Sequence, residues 1–191
     1  SADDFEREVD TFGEGYQQHN RRLHNRQTLF QESGMIALAL KSVDVLSAFG
    51  SAAAQIGNQA IRQMGSAAVA LADNWQTMLE SLYKLLAAFI KGNRDNCSKF
   101  VQHLDWLVLQ LDTSKSASIG ILMVLIALLE DSPDVLNKVK EKHIKSIISL
   151  LEKHGRTPQV LDLLCSLCMC RGVAVRSNQN VICDHLLSGR D

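Results

Sequence analysis

Three cysteines, Cys165, Cys168 and Cys170, fall within six positions of the stretch LDLLCSLCMCRGVAVRSNQN, residues 161–180, and Cys183 and His185 follow soon after. Thiols and imidazoles at such spacings can hold a soft metal or carry redox chemistry. A zinc reading would join Cys165-x2-Cys168 to Cys183-x-His185. Structural zinc ligands usually sit on tight polar turns, however, and here the first pair is embedded among Leu163, Leu164 and Leu167. A redox reading needs an exposed thiolate. Cys170 is the best placed, because Arg171 beside it favours a thiolate, although a helix C-terminus at that point opposes negative charge. The third reading is packing. At helical spacing Cys165 and Cys168 share a face with Leu161 and Leu164, and a buried thiol behaves as a small hydrophobe. The expectation is packing, with no metal and no cofactor.

Other chemistry is not signalled. There is no glycine-rich phosphate loop, no nucleophile motif and no close carboxylate pair in an apolar setting. The six histidines are scattered; His143 and His154 lie where helix ends are expected and read as surface or capping residues. No catalytic residue is assigned, and the chain is not expected to be an enzyme. With 20 basic and 21 acidic residues, the formal charge of −1 leaves no excess to neutralise a phosphate backbone, so a nucleic-acid partner is not expected. The longest apolar run, Ile119 to Leu129, spans 11 residues, about half of what a membrane span needs. It reads as a buried helix, and Ser1 onward does not resemble a signal peptide. Five cysteines, an odd number, point to a reducing compartment rather than a disulfide framework.

The elements that would carry these residues are helical. Aromatics make up 5% of the chain and prolines number two, while Leu, Ala, Ile and Val dominate. Trp75, Met78, Leu79, Leu82, Tyr83, Leu86, Phe89 and Ile90 follow the i, i+3, i+4, i+7 rule of one apolar helix face, and Gly92 stops that helix. Met35–Leu46, Phe100–Leu111 and Ile119–Leu129 read alike. Ser132-Pro133-Asp134 and Thr157-Pro158 are helix starts, with a cap followed by proline at the first helical position. The helix between them carries Ile144, Ile147, Ile148 and Leu151 and closes on Lys153-His154-Gly155.

Segments opening at Asn25, Asn93, Ser132 and Ser177 share a plan: a polar cap, a short helix, a break, then an apolar helix. The later intervals are about 40 residues, the period of armadillo-like repeats. The expected fold is therefore an all-α, right-handed armadillo-like helical solenoid of helices about 8 to 16 residues long. Residues 1–24 form an N-terminal extension or helix, passing from acidic (Asp3, Asp4, Glu6) to basic (Arg21, Arg22), and 25–191 form the solenoid. An Ala/Gly-rich insertion at 47–72 is expected to be part helix and part loop.

HNRQTLFQESGM, LLAAFIKGNRDNCSKF, LDWLV, EDSPDVLN, EKHIKSIISLLEKHGR and VLDLLCSLCMCRGVAVRSNQNVICDHLL together resemble the ryanodine receptor family. The likeness runs from about residue 19 to 191 and lies in a helical segment that family shares with inositol trisphosphate receptors. It implies a cytosolic regulatory module of an intracellular calcium-release channel, on the cytosolic side of the sarcoplasmic or endoplasmic reticulum membrane. The implied partners are neighbouring domains and subunits of a homotetramer, and this segment itself is not expected to touch the membrane. In inositol trisphosphate receptors the stretch matching NRQTLFQE carries basic residues that grip phosphates. Here those positions are Thr28 and Gln31, and the second basic pair falls at Arg94-Asp95, so a small-molecule ligand of that kind is not expected.

Arg176, between VAV and SNQN, has donors enough to hold several carbonyls across a repeat junction, although a solvent-facing loop arginine fits the same context. With Arg26 and Asn178 it forms the candidate structural or interdomain set, and on the junction reading Arg176→Cys should cost several degrees of melting temperature. Two other readings stay open: an inositol trisphosphate receptor-like ligand module and a generic armadillo adaptor. Such adaptors commonly repeat Trp with Asn four residues on, whereas Trp75 and Trp106 are followed at that spacing by Leu79 and Gln110.

Overall fold

The structure, a computed structural model, describes residues 2–64, 66–113, 118–130, 132–154, 157–170 and 172–187; side-chain surroundings are described for 17–50, 74–111, 119–130, 132–151, 157–170 and 172–187. Arg171, Gly155, the side chains of Lys153 and His154, and those of the acidic residues near the N-terminus lie outside these sets.

Helix α1 (Ala2–Glu32) passes residue 24 without a break and stops before Gly34, which adopts φ +76°. That left-handed conformation is one glycine adopts without a Cβ penalty. Helices α2 (Met35–Met64) and α3 (Ser66–Ile90) follow, and Gly92, at φ +70°, turns the chain into α4 (Arg94–Phe100). A 3₁₀ turn (Val101–His103) leads into α5 (Leu104–Thr113), α6 (Ser118–Leu129), α7 (Pro133–Leu136), α8 (Glu141–His154) and α9 (Pro158–Cys168). Strands β1 (Met169–Cys170) and β2 (Val173–Ala174) pair antiparallel before α10 (Arg176–Leu187). The class is all-α, with this two-stranded ribbon as its one departure among the described residues.

The core is centred on α6, which packs against α3, α5, α7 and α9. Ile121, Val124, Leu125 and Leu128 are fully buried there. A helix apolar on nearly every side must be enclosed by neighbours, so the 11-residue run is a core helix. No single helix among the described residues is long and apolar enough to cross a membrane. Helices α3 and α6 come close because α6 carries Gly120: a Cβ built there would lie 2.8 Å from Cβ of the fully buried Tyr83.

Several expectations are revised. Apart from residue 65, segment 47–72 is helical throughout, so α2 and α3 reach 30 and 25 residues and exceed the expected 8 to 16. Gly50, near the middle of α2, sits against the indole of Trp75. Met78 is 56% exposed although it belongs to the apolar periodicity of α3. On α9 the buried face is Val160, Leu163, Leu164 and Leu167, whereas Leu161 and Cys165 are exposed. Each helical residue turns the face by 100°, so placing Cys165 and Leu161 in the core misjudged the face by one position. Ser132 and Thr157 stand where the helix starts were expected, each before a proline, yet neither side chain caps. The Ser132 carbonyl accepts from Val135 and Leu136 instead, and α7 is only four residues long.

Candidate functional site at the α1–α3–α4 junction

On α1, between residues 17 and 32, only Gln27 is buried (4% exposed). Its Nε2 donates to the carbonyls of Ala88 at 2.8 Å and Lys91 at 2.9 Å, where the last turn of α3 leaves acceptors without helical donors. Its Oε1 accepts from Nδ2 of Asn93 at 3.2 Å. Asn93 is the N-cap of α4, with Oδ1 accepting from the Asn96 backbone N–H at 3.1 Å. Asn96 closes the set by donating to the carbonyls of Phe89 at 2.9 Å and Gln27 at 3.3 Å. Three buried amides thus satisfy one another and two helix ends. Such a network holds a single arrangement, because any slip leaves a buried polar group unpaired.

The rim of this junction reinforces it. Phe30 of α1 meets Phe89 of α3 with ring centroids 5.3 Å apart, and Lys99 donates to Gln31 Oε1 at 2.7 Å. The Cys97 thiol donates to the Ile90 carbonyl at 3.2 Å, and burial pushes it above the usual thiol range. Of the four positions compared with a phosphate-gripping site, Thr28 and Gln31 lie on α1, and Arg94 and Asp95 open α4. Thr28 Oγ1 is spent on the His24 carbonyl, Gln31 is held by Lys99, and Arg94 and Asp95 are exposed. A neighbouring cavity of about 440 Å³, lined among others by Lys91, Arg94, Cys97 and Glu130, sets two cations against one carboxylate among the described residues. The junction is equipped to fix a helix angle.

A second polar contact joins α5 to α8. His143, 3% exposed, accepts from the Lys140 backbone N–H at Nδ1 (3.1 Å), so its proton sits on Nε2, which meets Asp105 Oδ1 at 2.7 Å. The capping reading of His143 holds; the surface reading does not. Lys142 and then His143 hold the Asp105 carboxyl down to about 2. On the far side of α8, Lys145 and then His185 lower Glu141.

Among the described residues no group of three or more His, Cys, Asp or Glu, the C-terminal thiols included, is placed to hold a metal ion. Cys165 and Cys183 are exposed, and Cys168 and Cys170 are half-buried against the core. Burial, with Cys165 and Cys183 nearby, raises Cys168. Asn178 is buried and donates to the Leu167 carbonyl at 3.1 Å, and Gln179 donates to that of Cys168 at 3.0 Å, so α10 closes the end of α9. Arg176 and Arg26 are exposed and have no ion pair or side-chain hydrogen bond to the other described residues. Of the three candidate site residues, only Asn178 makes a tie among the described residues. The Gln27–Asn93–Asn96 set was not singled out from sequence. Its one legible part is the Gly92-Asn93 break that opens α4.

A sequence model described as the RIH domain matches residues 6–191. The inositol 1,4,5-trisphosphate receptor itr-1 of Caenorhabditis elegans is 37% identical over 65 residues, 34% of this chain and 2% of that protein. The inositol 1,4,5-trisphosphate receptor-like protein A of Dictyostelium discoideum is 26% identical over 106 residues, 56% of this chain and 3% of that protein.

Proposed function

The chain belongs to the RIH domain family of the ryanodine and inositol trisphosphate receptor superfamily, and we propose that it is a non-catalytic cytosolic module that couples neighbouring domains of an intracellular calcium-release channel to its gate. The observation that carries this reading is the buried Gln27–Asn93–Asn96 network, which fixes the long helix α1 at a set angle to α3 and α4. A lever fixed at its base passes displacement between its ends instead of absorbing it. Weakening such interfaces would bias the closed arrangement toward opening. The helices stack as an armadillo-like solenoid in this reading. Arg26 and Arg176, exposed and without internal partners among the described residues, face neighbouring domains or subunits of a homotetramer on the cytosolic side of the reticulum membrane.

Within the superfamily we assign the ryanodine type. Its support is that Thr28 and Gln31 carry no charge and are engaged internally, which leaves Arg94 beside Asp95 as the only cation at the compared positions. The two curated relatives favour the other type, since both bear inositol trisphosphate receptor names. Titration calorimetry of the chain with inositol 1,4,5-trisphosphate separates them. We expect no heat of binding; a saturable one-to-one isotherm would establish the ligand-binding type.

A further inference from the structure

Helices α2 and α3 form a hairpin whose outer furrow is apolar and left uncovered by the described residues. It is lined by Leu38, Val45 and Leu46 on one wall and Met78, Leu82 and Leu85 on the other, around a cavity of about 720 Å³. Leu38, Val45, Met78 and Leu85 are 56%, 61%, 56% and 39% exposed, and Phe49 continues the α2 row at 54%. Residues 38 to 45 and 78 to 85 each span two helical turns, about 10.5 Å. Among the described residues Lys41 is the one charged residue in the lining, and it has no ion pair to another of them. The hydroxyls of Ser42 and Ser81 are spent on the carbonyls of Leu38 and Thr77.

We propose that this furrow receives an amphipathic α-helix of another domain or protein, carrying one acidic residue in the middle of its apolar face to meet Lys41. The inference stands on the furrow and does not depend on the channel assignment. Both walls are helices whose backbone groups are bonded internally, so an added strand would find nothing to pair with. A third helix fits the groove between two others at the usual 8–10 Å spacing. Two turns of apolar wall suit anchors at i, i+3 or i+4, and i+7. A second copy of this chain is a poor occupant, because a two-fold contact centred on the furrow would set Lys41 against its own image. A bilayer surface would meet a concave furrow with one cation, where surface-lying helices present many.

The test uses the 191-residue chain and labelled synthetic helical peptides whose apolar stripe varies in register and carries one central Glu or one central Lys. Fluorescence polarisation is read for the wild type, Lys41→Glu and Val45→Asp, with circular dichroism confirming the fold of each. We expect at least one Glu peptide to bind, its Lys counterpart to bind about fivefold more weakly, Lys41→Glu to reverse that order, and Val45→Asp to abolish binding. The proposal is overturned if no peptide binds, if Glu and Lys peptides bind equally, or if Val45→Asp leaves binding intact. It is also overturned if Val45→Asp instead removes self-association in sedimentation or adsorption to phosphatidylcholine vesicles.

Discussion

At the residue scale the decisive groups are uncharged amides. Truncating Gln27 to Ala leaves the Ala88 and Lys91 carbonyls and an Asn93 amide hydrogen unpaired in a buried place. We expect a loss of about 1–3 kcal/mol in urea unfolding; a loss below a few tenths would mean that the network is not holding α1. Asp105 offers a pH-resolved counterpart. Its carboxyl is held at about 2 in the folded chain against an ordinary 3.8, so the unfolded chain takes up its proton first as pH falls. The stabilisation is present above about pH 4 and lost toward pH 2. Thermal melts of wild type and Asp105→Asn should therefore differ by a constant amount at neutral pH and converge between those limits; a gap that persists to pH 2 would assign the effect elsewhere. Asn93 could be read from sequence because a cap is a local device, set by Gly92 and the next three residues. Gln27 could not, because its partners lie 61 to 69 positions away and nothing near it marks it as buried.

The elements divide in the same way. Starts at Pro133 and Pro158 and turns at Gly34 and Gly92 were legible, since proline and glycine act on their own backbone. Which face of a helix is buried was less so: a run such as LDLLCSLC offers two neighbouring apolar stripes, and only packing against α6, α8 and α10 selects the one through Val160 and Leu167. The lengths of α2 and α3 escaped the sequence reading because Ala, Gly and Ser read as a loop, although small residues also let helices approach. Gly120 tests that second role. Alanine gains up to about 1 kcal/mol in helix propensity, yet its methyl would press on Cβ of Tyr83, which has no room to move. Gly120→Ala should be net destabilising by about 1–2 kcal/mol on an overpacking scale, measured by urea unfolding. Gly50→Ala should cost less, because it meets the rim of the half-buried Trp75 ring. Equal costs would show that the α3–α6 approach is not limiting.

On the scale of the whole molecule, the candidate interdomain residues separate into an inward and an outward kind. Asn178 ties α10 to α9, whereas Arg176 faces away. Arg176→Cys should thus leave the melting temperature of this chain within about 1–2 °C of wild type, in place of the several degrees expected from a junction clamp, while weakening association with a neighbouring domain. A drop of several degrees in the isolated chain would restore the internal role. The sequence alone determined the helical class, most helix breaks and, through extended motif likeness, the receptor superfamily, because these depend on local propensity and residue identity. Tertiary structure decided which thiols are buried, that Gln27 ties α1 to the ends of α3 and α4, and that the furrow of α2 and α3 is left open by the described residues. Each is a matter of burial, and burial is a relation between segments far apart in the chain.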